Sequence, residues 1–171
     1  MAMNDGAAAS PENRLRAAGI ALPPPRPPIA NFVPAVQEGS LLFLSGQGPV
    51  WEQGKHCGKV GRDVSAEEAC RHARLVGLNL LAQIRESLGS LNRVARIVKL
   101  FGMVNATDIF EDHPFVINGC SDLFIEVFGA TIGSHARSAI GVGSLPGNIT
   151  VEIEAIVAVA AEESGAAARR A

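Results

Sequence analysis

The stretch Ile149-Thr-Val-Glu-Ile-Glu-Ala-Ile-Val-Ala-Val-Ala160 decides the fold, because its side chains alternate in character with a period of two. Successive side chains of a β-strand point to opposite faces of a sheet. One face of this strand carries only apolar residues, namely Val151, Ile153, Ala155, Val157 and Val159. Glu152 and Glu154 lie on the other face. The pattern predicts a strand with one face in a core and one face turned away from it.

Further strands are predicted on the N-terminal side of this stretch. Apolar runs of strand length, bounded by turn residues, predict these strands. Asn31–Gln37 and Ser40–Ser45 form a predicted hairpin. Val94–Val104 is a predicted long strand, and Ala136–Val142 is a predicted short strand. Residues 50–61 are rich in turn-forming and charged residues, which is typical of a loop.

Two long helices are predicted between these strands. The capping box Ser65-Ala-Glu-Glu68 begins the first, which Gly89 ends. Asp112-His113-Pro114 begins the second, which Gly129 ends. The order β, β, α, β, α, β, β predicts an α+β fold, a two-layer sandwich in which a mixed β-sheet packs both helices on one face.

The 171 residues suffice for one ordinary domain and not for two. We assign residues 30–160 to this domain, residues 1–29 to an N-terminal extension and residues 161–171 to a frayed C-terminal tail. The extension contains Leu22-Pro-Pro-Pro-Arg-Pro-Pro28, whose prolines favour an extended polyproline conformation. We expect this segment to lie as a stiff strap on the domain surface. Docking to a proline-binding module of a partner is the alternative.

The charge balance argues against several classes of partner. Lys and Arg total 15 and Asp and Glu total 17, so there is no basic excess and we expect no nucleic-acid partner. The first residues lack the charged and then apolar pattern of a secretory signal, and no run approaches the roughly 18 apolar residues of a membrane span. We therefore expect no membrane partner and a cytoplasmic location.

The cysteines argue for a reducing compartment and against a metal site. Cys57, Cys70 and Cys120 are an odd number with irregular spacing. His56 beside Cys57 and His72 close to Cys70 leave a zinc site as an alternative, but structural zinc sites use more closely spaced ligand pairs. We favour reduced structural cysteines and expect no metal. Tyrosine is absent altogether, so no phenol is available for catalysis.

Few charged residues lie within the predicted apolar elements. Arg137 begins a short strand, where its planar guanidinium suits a carboxylate or a phosphate. A surface ion pair is the alternative. Glu152 and Glu154 share a strand face, and a carboxyl group with a raised pKa there suits proton transfer. A plain solvated face explains the same two glutamates.

Other candidates are neutral or small. Ser45 and Gly46 end a buried strand, where a hydroxyl group and bare backbone allow close approach of a ligand, although a turn alone explains them. Asn118 lies within a helix, where Asn is not favoured, so it makes a packing or ligand contact or else is simply exposed. His135 is two residues from Arg137, so on the same strand face it lines the same substrate-binding site, or else it belongs to the flanking loop. These residues do not by themselves define a reaction.

Two segments together resemble a known family. Residues 33–47, VPAVQEGSLLFLSGQ, resemble the first hairpin of the Rid family of reactive intermediate deaminases, also called YjgF or L-PSP endoribonuclease-like proteins. Residues 136–156, ARSAIGVGSLPGNITVEIEAI, resemble its C-terminal signature, with the arginine, the Leu-Pro turn and the Val-Glu-Ile-Glu strand in the family's order and spacing. The resemblance covers about Ala30 to Val159. The N-terminal RLRAAGI segment and the Pro-rich strap are similar to a side branch of the family.

The resemblance implies a structure and an activity. The expected fold is chorismate-mutase-like, and the expected assembly is a homotrimer with sites in the clefts between subunits. The residue matching Arg137 holds the carboxylate of a small enamine or imine acid, such as 2-aminoacrylate or 2-iminobutanoate. The residue matching Glu152 assists water addition, which yields a 2-oxo acid and ammonia without any cofactor. Ser45, Gly46 and Asn118 match residues of the site wall.

The sequence departs from the family pattern at two positions of the expected site. Phe32 stands where active deaminases have a tyrosine, and Ala139 stands where they have a cysteine two residues after the arginine. Loss of the tyrosine hydroxyl removes one hydrogen bond to substrate or water. A non-catalytic trimer that binds a small carboxylate, with a regulatory or stress-related role, is therefore the alternative function. Endoribonuclease activity rests only on the family's older name.

Overall fold

The computed structural model describes residues 10–51 and 54–161. Its main feature is a five-stranded sheet in the order β1-β2-β7-β5-β6, in which β5 and β6 are parallel and the other neighbours are antiparallel. The strands are β1 (Ala35–Glu38), β2 (Leu41–Gln47), β5 (Val94–Asn105), β6 (Ala136–Val142) and β7 (Val151–Val159). The predicted mixed sheet is confirmed.

Two long helices, α2 (Ala66–Leu88) and α3 (His113–Gly133), form the second layer of the sandwich. They pack against each other and against one face of the sheet, as predicted. Short 3₁₀ turns at Leu91–Arg93 and Pro146–Asn148 lead into β5 and β7. The α+β two-layer architecture follows directly from the apolar stripes of the helices and the apolar face of the sheet.

The helix ends follow the local signals in the sequence. The Ser65 hydroxyl accepts a hydrogen bond from the Glu68 amide at 3.2 Å, and Gly89 ends α2 with a φ of 78° that favours glycine. Gly129 has a φ of 75° and a ψ of 165°, so it breaks α3 at the predicted end. One further helical turn follows this kink and reaches Gly133.

A small hairpin lies in the segment that the sequence predicted as loop. Its strands are β3 (Val50–Trp51) and β4 (Gly54–Lys55). The Asn79 side chain, buried in α2, donates hydrogen bonds to the carbonyls of Gly48 and Val50 at 3.0 Å each. Trp51 packs against the core beside this anchor. The buried amide thus fixes the connection between β2 and the hairpin.

Strand β7 confirms the alternation that decided the fold. Its five apolar residues are buried beneath the helices, whereas Glu152 is half-buried and Glu154 is exposed on the opposite face. We call the sheet face that carries these glutamates the open face. Three large apolar side chains on it, Val36, Phe43 and Ile140, remain 52%, 43% and 41% exposed. An apolar surface of this kind is typical of an interaction site.

The N-terminal segment is packed on the same core. Helix α1 (Pro11–Ala17) buries Leu15, and Glu12 forms an ion pair with Arg85 of α2. The Pro-rich segment contacts α2 through Gln83, which donates a hydrogen bond to the Arg26 carbonyl at 2.8 Å. The division of the chain at residue 30 stays a prediction. The fraying predicted for the two termini falls on residues 1–9 and 162–171, outside the described residues.

By length and composition, α3 is apolar enough to cross a membrane, which the sequence analysis did not anticipate. Half of the apolar window is buried against the rest of the fold. The central helix of an ordinary sandwich has the same composition, so this finding is weak evidence for a membrane span.

Helices α2 and α3 approach each other closely at glycine. A Cβ atom on Gly119 would overlap the Cys70 carbonyl oxygen and lie 3.0 Å from the Arg74 nitrogen. A Cβ atom on Gly77 would lie 2.9 Å from Leu123. Gly119 therefore allows a backbone separation that a residue with a Cβ atom would disrupt, whereas at Gly77 the Leu123 side chain would have to move.

We expect Gly119→Ala to lower the free energy of unfolding by about 2 kcal/mol or more, because the overlap is with backbone and cannot be relieved by side-chain rotation. Chemical denaturation measures the change. Gly143→Ala is the matched control, since a Cβ atom there meets nothing within 4 Å. Equal stability of the two variants would contradict this account of the helix contact.

Candidate functional site

Arg137 lies on the helix side of β6 and is held by α3. Its Nη1 donates to the Asn118 Oδ1 at 2.8 Å and to the Ser121 Oγ at 3.0 Å, and its Nη2 donates to the Pro114 carbonyl at 3.3 Å. These contacts use both protons of Nη1 and one proton of Nη2. The position of the guanidinium group is therefore fixed by three acceptors from one helix.

The remaining donors of Arg137 form one edge of the guanidinium group. Nε and the second proton of Nη2 make no hydrogen bond to any residue that the structure describes. These two N–H groups are parallel, and a carboxylate accepts from such a pair with both oxygens. The geometry suits a small carboxylate ligand at the edge of the sheet.

His135 lies behind Arg137. Its Nδ1 is 2.6 Å from the Gly133 carbonyl oxygen, and its Nε2 is 3.0 Å from the Ser121 Oγ. Both ring nitrogens are thus occupied within the chain. Ser121 links Arg137 and His135 and is not among the residues predicted from the sequence, where its place one helical turn after Asn118 is the available signal.

Glu152 lies on the open face, beside a bulge in β2. The register between β2 and β7 shifts between Leu44 and Gln47, so Ser45 and Gly46 together face one residue of β7. A Cβ atom on Gly46 would overlap the Glu152 carboxylate. The glycine therefore makes room for this carboxylate, as close approach of a polar group requires.

The Glu152 carboxyl group is suited to hold a proton. Partial burial raises its pKa above the ordinary value, and the negative charge of Glu154 on the same face raises it further. The protonated form therefore persists to higher pH than for an exposed glutamate. A larger fraction of such a carboxyl group is therefore available as a proton donor as the pH rises toward neutrality.

Ser45, Phe32 and Ala139 occupy different surroundings. The Ser45 hydroxyl donates to the Val33 carbonyl at 2.7 Å, and Ser45 lines an open-face cleft of about 450 Å³ that Glu154 also lines. Phe32 precedes Val33 and is 43% exposed. Ala139 packs against the core two residues after Arg137.

The structure thus brings the candidate residues together in two groups. Arg137, Asn118 and His135 form the first group, and Glu152, Gly46 and Ser45 form the second. Arg137 pairs with Leu100 of β5, whereas Glu152 pairs with Met103 on the other side of that strand.

Strand spacing sets the distance between Arg137 and Glu152. The two residues are two strands apart across the sheet and three residues apart along the direction of β5. Their Cα atoms are therefore on the order of 14 Å apart, and their side chains lie on opposite faces. One chain cannot bring both to a small ligand.

The alternative zinc site gains no support from the geometry. The His56 and His72 rings stack with centroids 4.2 Å apart, and His72 Nδ1 lies 3.1 Å from the Thr150 hydroxyl. Burial lowers the pKa of His72 to about 4, and the adjacent His56 acts in the same direction. Within the described part of the chain, no three His, Cys, Asp or Glu side chains are placed to hold a metal ion.

A separate cleft of about 610 Å³ lies where the parallel strands β5 and β6 end. Its walls include Lys59, Thr107 and His113, and it contains none of the candidate residues. Lys59 donates to the Asn105 Oδ1 at 2.8 Å and to the Gly143 carbonyl. These bonds tie the loops after β5 and β6 together.

Sequence comparison matches most of the chain to a known protein family. Residues 12–157 match the family described as "YjgF/chorismate mutase-like, putative endoribonuclease". Protein TCP17 of Trypanosoma cruzi is 40% identical over 144 residues, which are 84% of this chain and 90% of that protein. The chorismate-mutase-like fold expected from the sequence is confirmed.

Solved structures show the same fold. Atu1372 from Agrobacterium tumefaciens, a protein of unknown function, is 42% identical with a TM-score of 0.80, covering 91% of this chain and 97% of its own. TdcF of Escherichia coli, solved with bound serine, is 30% identical with a TM-score of 0.56, covering 79% of this chain and 92% of its own.

We expect Glu154→Gln to lower the pKa of Glu152, because the substitution removes the neighbouring negative charge. The pKa should still stay above the ordinary value, since burial is the larger cause. NMR titration of the labelled carboxyl carbon measures it. Glu126→Gln is the control, because Glu126 pairs with Arg74 in the helical layer. An unchanged Glu152 titration in Glu154→Gln would contradict this assignment.

Proposed function

Because the chain belongs to the YjgF/chorismate mutase-like family, we propose that it hydrolyses small enamine and imine acids to 2-oxo acids and ammonia. The observation that carries the proposal is the Arg137 guanidinium group, which α3 anchors while one edge stays available for a carboxylate. The family includes imine deaminases and proteins that bind small ligands. The reaction needs no cofactor, since both of its steps are proton transfers coupled to addition and elimination.

Arg137 supplies orientation. A bidentate contact from its Nε and Nη2 to the substrate carboxylate fixes both the position and the plane of the adjacent imine. The bound imine carbon is thereby held in an orientation that favours attack by water. An enamine substrate first takes a proton on carbon and loses one from nitrogen, which gives the imine.

Glu152 supplies the proton. The protonated carboxyl group gives its proton to the imine nitrogen while a water oxygen bonds to the imine carbon, and the carboxylate then accepts a proton from that water. The product is a carbinolamine. Its C–N bond breaks as the hydroxyl oxygen forms the carbonyl, and the nitrogen leaves with the hydroxyl proton as ammonia. The raised pKa of Glu152 supports this role.

We further infer a homotrimer whose sites combine Arg137 of one subunit with Glu152 of the next. Two observations support this assembly. The two residues lie on opposite faces of the sheet in one chain. The exposed apolar side chains Val36, Phe43 and Ile140 give the open face a surface that a second copy would bury.

A non-catalytic carboxylate-binding protein is the second candidate. Phe32 offers no hydroxyl group to the substrate, and the related TdcF was solved with bound serine. Endoribonuclease activity is a weaker proposal, because the net charge of −2 does not favour RNA binding. RNA degradation that persists in Arg137→Ala protein would indicate a contaminant.

We expect the purified protein to accelerate 2-oxo acid release when a pyridoxal-phosphate lyase generates the imine in situ. Arg137→Ala should lower this activity at least about 100-fold, because the carboxylate loses its orienting contact. Arg137→Lys should recover little, since a lysine lacks the paired N–H groups.

Arg71→Ala is the matched control, because Arg71 is exposed on α2. Full activity in Arg137→Ala would refute the assigned role. Carboxylate binding by calorimetry without turnover in the wild-type protein would favour the second candidate.

We expect activity to return when Arg137→Ala and Glu152→Gln subunits are co-expressed in mixed trimers. A site between two subunits is intact when one supplies Arg137 and the next supplies Glu152, which random mixing achieves for about a quarter of sites. Each variant alone should be inactive. Activity in the mixture no higher than in the separate variants would contradict a shared site.

A further inference from the structure

We infer that Ser121 and His135 act as positioning residues for Arg137, through an ordered chain of hydrogen bonds that requires a neutral His135. The inference rests on the proposed use of Arg137 as the carboxylate-binding group. It gives a function to His135 that differs from direct contact with substrate, because both ring nitrogens already have partners.

The direction of each hydrogen bond follows from the acceptor at the end of the chain. The Gly133 carbonyl can only accept, so the Nδ1 of His135 carries a proton. In the neutral ring Nε2 is then an acceptor, and the Ser121 hydroxyl donates to it. The Ser121 oxygen keeps its lone pairs for the Nη1 proton of Arg137.

This chain of hydrogen bonds determines which edge of the Arg137 guanidinium group faces outward. Asn118 and Ser121 hold the two protons of Nη1 from one helical turn of α3. The guanidinium group is planar, so fixing Nη1 at two points also fixes the direction of the Nε and Nη2 edge. Without the Ser121 bond, rotation of this group is limited only by Asn118 and the Pro114 carbonyl.

Protonation of His135 would disrupt the ordered chain of hydrogen bonds. Nε2 would become a donor to Ser121, whose own proton would lose its acceptor. The imidazolium would also lie two residues along the chain from the Arg137 cation. The groups around the ring are Ser121, the Gly133 carbonyl and the Phe124 ring of α3, with Arg137 on β6 as the charged neighbour.

The surroundings keep His135 neutral over most of the physiological range. Burial lowers its pKa, the Gly133 carbonyl opposes this, and the positive charge of Arg137 lowers it further. The pKa therefore lies below the ordinary histidine value of about 6.5. The ordered chain is complete above that pH and is lost as the pH falls through the His135 pKa.

Calorimetry with 2-oxobutanoate from about pH 8 to about pH 5 tests the inference, because this ligand stays ionised throughout that range. Wild-type affinity should be constant above the His135 pKa and should fall about tenfold once the pH passes below it. His135→Gln should remove this fall, since the glutamine Oε1 accepts from Ser121 at every pH. Ser121→Ala should weaken binding about tenfold at every pH, and Ser121→Thr should restore it.

Ser65→Ala is the control for a purely structural loss, because it removes the cap of α2 and should leave affinity and pH profile unchanged. A steady wild-type affinity over a pH range in which NMR shows His135 becoming protonated, or an unchanged fall in His135→Gln, would overturn the inference. Glu152 titrates in both the wild type and His135→Gln. The difference between their pH profiles therefore reports His135 and not Glu152.

An NMR measurement keeps this test independent of the proposed function. Long-range ¹H–¹⁵N correlation of His135 should show the Nδ1–H form, and Ser121→Ala should shift the Nε2 signal and speed exchange of the Arg137 Nη protons. The Nε2–H form, or Arg137 signals unaffected by Ser121→Ala, would refute the chain. Absence of deaminase activity alongside the expected NMR result would refute only the proposed function.

Discussion

Alternation along β7 is the constraint on which the rest of the structure depends. This strand lies in the middle of the sheet, so its apolar side chains must face the helices while Glu152 and Glu154 face the other way. A shift of one residue in register would bury both carboxylates under α2 and α3, at a cost of several kcal/mol for each unpaired charge. The position of the Glu152 carboxyl group is therefore set by the same burial that forms the core.

Arg137 has a different structural origin. It lies on β6, an edge strand with a single neighbour, and its side chain reaches the helical layer instead of the open face. Three acceptors of α3 replace the water that a free guanidinium group would bind. Glu152 and Arg137 thus belong to opposite sides of one sheet, and a site that uses both requires a second copy of the chain.

The sequence predicts those features that depend on near neighbours. The cap at Ser65, the helix end at Gly89 and the period of β7 are local, and each is present in the structure. The role of Ser121 is not local, because it depends on where β6 meets α3. The separation of Arg137 from Glu152 depends on strand order, which spacing along the chain does not contain. The bulge at Ser45 likewise arises from pairing with β7.

The anchored hairpin has a practical consequence for spectroscopy. The chain has one tryptophan and no tyrosine, so Trp51 accounts for almost all intrinsic fluorescence. Trp51 lies in β3, which the Asn79 amide holds against α2. Its emission therefore reports the packing of this hairpin against α2 more directly than the unfolding of the sheet. Fluorescence and far-ultraviolet circular dichroism thus observe two different parts of the molecule, and a difference between their transitions measures how independently the hairpin opens.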